Sequence, residues 1–430
     1  MESRVVIGII VALLVGIGIG YLIVSNTMKT ITKTVVVPTT VTATRTSIET
    51  KTIPTTYVTT TTITSTIVTT TTYEKTITSP TTYVTTITSP VTLTVTSVVN
   101  KTVTKTIVFK TIYDALGRPL IFNKTPERIV CLAPSITEIV FALGLGDRVV
   151  GVDDYSNYPP EVNELVNEGK IQRVGGYWTP DFEKIAELRP DVVFASVSPH
   201  AGMIDKFKEL GLKVVFLRSN NARNAYDVYQ DIMLVASIFG LEDKARKIID
   251  NIQSTIDNIT MSLIKANATP IKTFIILGPP SWGLWTSGGD TFINYIVSVS
   301  GGTNIASKYS GWVKLDYEEV LAQDPEVIIV GIMGSREDAE KIFEDIANSP
   351  LNQTTAFKNG NIYVFIGEAD DVLMRPGPRI DTAVEIVSRV LHPEIFGEIN
   401  RSDVIRMPSH EASSYTTLIG FHETGVRIEC

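Results

Sequence analysis

Two cysteines in 430 residues, Cys131 and Cys430, exclude a disulfide framework and make a thiolate metal site improbable. Cys131 falls inside a short apolar run and reads as inert packing, while Cys430 is the last residue. Histidine is also scarce. His200, His392, His410 and His422 are scattered, which disfavours an all-histidine metal cage. Positive charge is not in excess: 38 Lys and Arg face 46 Asp and Glu, the formal net charge is −8 and the pI about 5.3, so nothing suggests nucleic acid. No nucleophile–base pair and no metal motif stands out, which leaves an enzyme the least supported class.

What is present divides the chain into unlike parts. Residues 5–24 form an apolar and glycine run of about 20 residues, enough to cross a hydrocarbon core of roughly 30 Å as a helix. It reads as a single-pass anchor, residues 1–25, with a cleaved signal peptide as the alternative, although the apolar core of such a peptide is usually shorter. No cysteine follows the run, so lipid attachment there is excluded. Flanking charge, Glu2 and Arg4 before and Lys29 and Lys33 after, does not fix the orientation.

Residues 26–111 are dominated by threonine, and TTYEKTITSP at 71–80 is followed at once by TTYVTTITSP at 81–90. Such low complexity, with little large apolar surface, reads as an extended, O-glycosylated, disordered stalk reaching at most on the order of 280 Å at about 3.3 Å per residue. A small β-domain is the alternative, since Thr-Val alternation around 92–108 suits strands. Asn-x-Ser/Thr triplets at Asn100, Asn123, Asn258, Asn267, Asn352 and Asn400 are compatible with an exported glycoprotein.

From Ile112 onward strands alternate with helical periods, the pattern of a parallel sheet. The stretch 128–162 reads strand, turn, helix, strand, with Ser135 and Glu138 spaced as a capping box. It ends in a polar, aromatic loop, Asp153 to Pro160, at a strand's carboxyl end, where open α/β sheets bind ligands. Residues 222–265 read as helix nearly throughout, interrupted only at Gly240, with apolar positions from Ala245 to Leu263 at helical spacing. A second α/β series follows. The expected division is a first lobe at 112–220, bridging helices at 221–266, a second lobe at 267–396 and an extension at 397–430 without clear periodicity.

Two Rossmann-like α/β lobes joined by one long helix, with RIVCLAPSITEIVFALGLGDRVVGV, VGGYWTPDFEKIAELRPDVVFA, GGTNIASKYSGWVKLDYEEVLAQDPEVIIV and GEADDVLMRPGPRIDTAVEIV in that order, resemble the helical-backbone (class III) substrate-binding proteins of ABC importers for cobalamin, ferric siderophores and haem. The resemblance covers about residues 112–396. It implies a non-enzymatic carrier without a cofactor of its own, which holds a small-molecule metal chelate between its lobes and delivers it to a permease and its ATPase. The anchor and stalk resemble tethered binding proteins of organisms without an outer membrane, archaea in particular, and place the lobes outside the cell membrane.

By the same resemblance, surface glutamates on the two lobes, Glu183 and Glu318, dock arginines of the permease, with Glu319 a substitute for Glu318; first-turn carboxylates on helices also have a purely local rationale. Tyr155 corresponds to a cleft tyrosine, Tyr177 or Trp178 to a cleft tryptophan, Trp285 to a cleft phenylalanine and Trp312 to a second tryptophan. Flat, polarisable chelates need such surfaces, and Arg218, Asp370, Asp371 and Arg375 are candidates for fixing their orientation. Tyr155 is expected to face Trp285 and Trp312 across the cleft. Tyr158, Trp282 and Tyr309 read as core, and His200 as a loop histidine rather than a metal ligand. Two other readings stand beside the carrier: a binder of a different metal compound, and a surface structural or adhesion protein with a vestigial binding fold, whose cleft would be filled.

Overall fold

The computed structural model describes residues 41–47, 61–67, 102–103 and 110–408. The apolar run at 5–24 and the chain beyond 408 lie outside the described residues, and among those described no helix is long and apolar enough to cross a membrane. Within the threonine-rich segment, Val41–Ser47, Thr61–Ile67 and Thr102–Val103 pair as a three-stranded antiparallel sheet. The rest of residues 26–109, on which the stalk and β-domain readings turn, lies outside the described residues.

The body begins with the hairpin Lys110–Tyr113 and Pro119–Phe122, whose turn places Gly117 at φ +72°. It then builds a five-stranded parallel sheet from β1 (Ile129–Cys131), β2 (Val149–Val152), β3 (Gln172–Arg173), β4 (Val192–Ser196) and β5 (Val214–Leu217), in the order β5-β4-β1-β2-β3. β1 and β4 are buried throughout, the mark of a strand covered on both faces, which is why they read as continuous apolar runs. Helix α1 (Pro134–Ala142) follows β1, and the short α2 (Phe182–Glu187) precedes β4.

Between the two sheets the chain forms α3 (Ala225–Phe239) and α4 (Glu242–Lys265), separated by Gly240 in the left-handed conformation at φ +71°. α4 buries Ala245, Ile252, Ile256, Ile259 and Leu263 along one face. It packs on α3 and on two helices of the second series, α5 (Phe292–Val299) and α9 (Ile380–Leu391).

The second sheet has the order β8-β6-β10-β11-β12, from β6 (Ile271–Leu277), β8 (Gly302–Asn304), β10 (Val327–Gly331), β11 (Ile362–Phe365) and β12 (Val404–Arg406). All pairs are parallel except β11 with β12, an antiparallel edge contributed by the segment in which no period was legible. Beside it lies an antiparallel ribbon of β7 (Leu284–Ser287) and β9 (Trp312–Leu315). Helices α6 (Tyr317–Gln323), α7 (Arg336–Ala347) and α8 (Gly367–Met374) complete this half. One buried cluster runs from Ile129 through Ile252 and Ile256 to Ile329 and Val387, so the two halves share a core, and each sheet has a second core on its other face.

The expected capping box at the start of α1 is not formed. The helix begins at Pro134 after Ala133, with no side-chain cap. Ser135 instead hydrogen-bonds Ser219 at 2.8 Å, and Glu138 turns to arginines of the other half. Tertiary partners win over the local motif because both side chains lie inside the body, Ser135 and Glu138 being 3 % exposed each.

Candidate functional site

The carboxyl ends of β1, β2, β6 and β10, with α8 after β11, open onto one cavity of about 810 Å³ between the two sheets. The first half lines it with Ala133, Pro134, Ser135, Tyr155, Tyr177, Trp178 and Asn220. From the second half come Leu277 to Pro279, Ser281, Trp282, Gly331 to Gly334, Asp338, Lys341, Ile342, Asp345, Asp370, Asp371, Met374 and Arg375.

The first wall is locked by its own hydrogen bonds. The loop after β2 is held by Asp153, whose carboxylate accepts from Tyr155 N at 3.0 Å and from the Ser156 hydroxyl, while Arg173 donates to Asp153 O at 2.7 Å and Ser156 O at 2.6 Å. Burial pushes the Asp153 carboxyl up to about 6 against those bonds. This frame presents Tyr155, 45 % exposed, to the cavity. Tyr177 is buried, its hydroxyl donating to Ser198 O and lying 3.2 Å from Ser196 Oγ, and burial pushes the phenol up to about 12. Trp178 stands edge-on against it, ring centroids 5.2 Å apart, and is 63 % exposed. His200 is buried behind them: Nδ1 accepts from Ser196 N at 3.1 Å and Nε2 lies 2.7 Å from Tyr177 O, which assigns the proton to Nε2. Both ring nitrogens are occupied, and burial holds the imidazole below its ordinary pKa. It is a structural histidine.

The second wall is open. Trp282, expected in the core, is 71 % exposed and lines the cavity with Met333, 75 % exposed. The cause is local: Gly278 and Gly283 have φ of +89° and +102°, so the Gly-Pro-Pro-Ser-Trp-Gly loop leaves β6 as a turn that projects the indole outward. Trp285 and Trp312, the expected partners of Tyr155, are not among the lining residues. They lie on the β7/β9 ribbon, each 43 % exposed, with Trp312 edge-on to Phe292 at 6.2 Å. Arg218 is also outside the lining and pairs with Asp227 at 3.2 Å. The structure thus brings together Tyr155, Tyr177, Trp178, Asp370, Asp371 and Arg375 and leaves Arg218, Trp285 and Trp312 apart. Tyr309 is half-buried against the core with its hydroxyl 2.7 Å from Glu319.

At one end of the cavity a charged clamp crosses between the halves. Glu138, on α1, receives Arg379 Nε at 2.9 Å and Nη2 at 2.6 Å and lies 3.4 Å from Arg375. Arg375 also pairs with Asp371 at 2.5 Å and donates to Asn157 Oδ1 at 2.6 Å, while Asn157 donates to Asp371 at 3.1 Å. The Arg379 guanidinium lies 3.6 Å over the Tyr158 ring, so this tyrosine belongs to the clamp and not to an apolar core. The joining of Glu138 and Asn157 to Asp371, Arg375 and Arg379 was not legible from sequence, because these cross-half partners are separated by more than two hundred residues. Beside it, Asp370 is 3 % exposed, its Oδ1 has no hydrogen-bond partner, and burial, then the neighbouring Asp371, pushes the carboxyl up to about 7.

Away from the cavity, Glu183 on α2 and Glu318 on α6 are exposed first-turn residues of short helices capped by Asp181 and Asp316. Glu319 is not a free substitute: it pairs with Lys308 at 2.6 Å and accepts from Tyr309.

Residues 129–368 match the family described as periplasmic binding protein. The chain is 32% identical over 299 residues to an uncharacterized ABC transporter substrate-binding lipoprotein of Bacillus subtilis, covering 68% of this chain and 89% of that protein. It is 26% identical to a vitamin B12-binding protein of Photorhabdus laumondii, over 62% of this chain and 88% of that protein. Among solved structures, a periplasmic haem-binding protein from Pseudomonas aeruginosa aligns with a TM-score of 0.57 at 18% identity, over 66% of this chain and 98% of that one, a likeness of fold alone.

Proposed function

Because this chain belongs to the periplasmic binding protein family, whose members are non-enzymatic carriers, we propose that it is the extracellular substrate-binding component of an ABC importer and captures a flat metal chelate, corrinoid-like, between its two halves. One observation carries this reading: a cavity of about 810 Å³, inside the roughly 300–1,000 Å³ usual for ligand sites, stands open at the carboxyl edges of both sheets with Tyr155, Trp178 and Trp282 on its walls. A filled cleft would have favoured the vestigial, structural alternative. The names of the vitamin B12-binding relatives favour a corrinoid over the other chelates of the resemblance.

In this proposal α4 is the backbone against which the halves hold their relative position, and Glu183 and Glu318 offer exposed carboxylates to bidentate arginine bonds of a permease. Trp285 and Trp312 remain candidates for a ligand larger than the cavity. Residues 5–24 anchor the chain in the cell membrane, and the threonine-rich segment tethers the carrier near its permease at raised effective concentration. Reversing charge at Glu183 and Glu318 together tests the docking: uptake by cells is lost while chelate affinity of the purified protein is unchanged. A fall in affinity would assign the pair a folding role instead.

A further inference from the structure

We propose that Asp370 is the group by which this cavity reads its ligand, an acceptor for a hydrogen-bond donor or positive charge on the chelate, so that amide-bearing chelates are taken and carboxylate-bearing ones refused. The inference rests on the chelate-carrier reading and deepens it. Asp370 lines the cavity at 3 % exposure, and its Oδ1 finds no partner in the protein. A buried acceptor left without a donor costs about 1–3 kcal/mol, a cost that a donor on a bound molecule would remove. The fold also makes room for it. A Cβ at Gly331 would lie 2.6 Å from Asp370 Oδ1, so any larger residue at the end of β10 would crowd the carboxyl.

The rest of the lining points the same way. Its acids are Asp338, Asp345, Asp370 and Asp371, and its cations are Lys341 and Arg375. Arg375 is already engaged by Asp371 at 2.5 Å, Asn157 at 2.6 Å and Glu138 at 3.4 Å. Lys341 stands on the exposed rim 3.3 Å from Asp338. A carboxylate on a ligand would therefore meet excess negative charge and no uncommitted cation among the described lining residues. An amide N–H or an ammonium would meet an acceptor already stripped of water.

The test compares two molecules that share one ring: dicyanocobinamide, with amide side chains, and dicyanocobyrinate, in which those amides are carboxylates. Haemin serves as a second carboxylate-bearing chelate. Affinities for the full-length protein are read by tryptophan fluorescence for wild type, Asp370→Leu and Asp370→Asn. Wild type binds the amide form at least tenfold more tightly than the carboxylate form and haemin, and Asp370→Leu loses roughly tenfold for the amide form while the gap between the two rings narrows. Asp370→Asn, nearly isosteric and relieved of a buried carboxyl, unfolds at a temperature no lower than wild type and keeps the comparison readable if the leucine variant does not fold. The proposal is overturned, with the carrier reading intact, if wild type binds both rings equally, if Asp370→Leu keeps the wild-type preference, or, should that variant not fold, if Asp370→Asn, which loses the negative charge but keeps an acceptor oxygen, takes the carboxylate ring no better than wild type. If wild type binds none of the three, the chelate reading falls and this inference with it.

Discussion

The two walls of the cavity differ in how their polar groups are satisfied. On the first, Tyr177, His200, Asp153 and Ser135 are bonded within their own half, and the aromatic rings stand on a frame already fixed. On the second, Asp370 Oδ1 is buried without a partner, and Trp282 and Met333 project into open space. Side chains locked by packing and hydrogen bonds preorganise a surface, whereas unmet acceptors mark where a ligand has something to add. The first wall is thus a platform, and the second reads what lies on it. The clamp of Glu138 with Arg375 and Arg379 joins the two.

Breaking the clamp has the largest expected effect. Glu138→Ala leaves two partly buried guanidinium groups without their shared carboxylate and lowers stability by about 3–5 kcal/mol, checked by denaturant unfolding. Replacing Glu138 alone tells whether the walls hold together through it. A loss below 1 kcal/mol would mean that Asp371 and Glu368 suffice.

Next comes pH, which acts through three buried acids: Asp370 on the second wall, Asp153 behind the first, and Asp231 on α3, whose carboxylate accepts from Arg218 N and Ser219 N. The carboxyls of Asp370 and Asp231 are pushed up to about 7 and that of Asp153 to about 6, chiefly by burial. Raised folded-state values mean that the folded chain binds more protons than the unfolded one between about 4 and about 7, so stability falls as pH rises through that window and is greatest at its acid end. Asp370→Asn removes its share of the slope, at most about 1.4 kcal/mol per pH unit, and thermal unfolding at pH 5 and pH 7 measures the difference. An unchanged slope would show that its carboxyl is not desolvated.

How far these features were legible depends on the range of the interactions behind them. The α/β series was readable because buried parallel strands such as Val192–Ser196 and Val327–Gly331 are uninterrupted apolar runs, and because α4 repeats its buried residues at helical spacing. Ser135 and Glu138 matched a local motif but serve partners far along the chain, which no window of sequence contains. Trp282 was misread as core because an indole suggests burial, although the glycines and prolines around it carried the signal of a projecting turn. The β7/β9 ribbon was missed for a related reason: its two strands are short and only partly buried, with period-2 patterning too brief to stand out.

Smaller effects sharpen the contrast of platform and reader. Trp282→Ala weakens chelate binding roughly tenfold with stability changed by less than about 0.5 kcal/mol, since the indole is exposed. Tyr177→Phe does the reverse. It removes the hydroxyl bonded to Ser196 and Ser198, lowers stability by about 1 kcal/mol and leaves affinity nearly unchanged. If the two variants exchanged these signatures, the assignment of roles to the walls would be inverted.

The most direct measurement is a titration of the purified protein with cobalamin, a ferric siderophore and haem, followed by tryptophan fluorescence. Trp178 and Trp282 line the cavity, so a chelate seated between the walls quenches their emission. The prediction is saturable quenching by the corrinoid, reduced in Trp282→Ala. No response to any of the three would contradict the account.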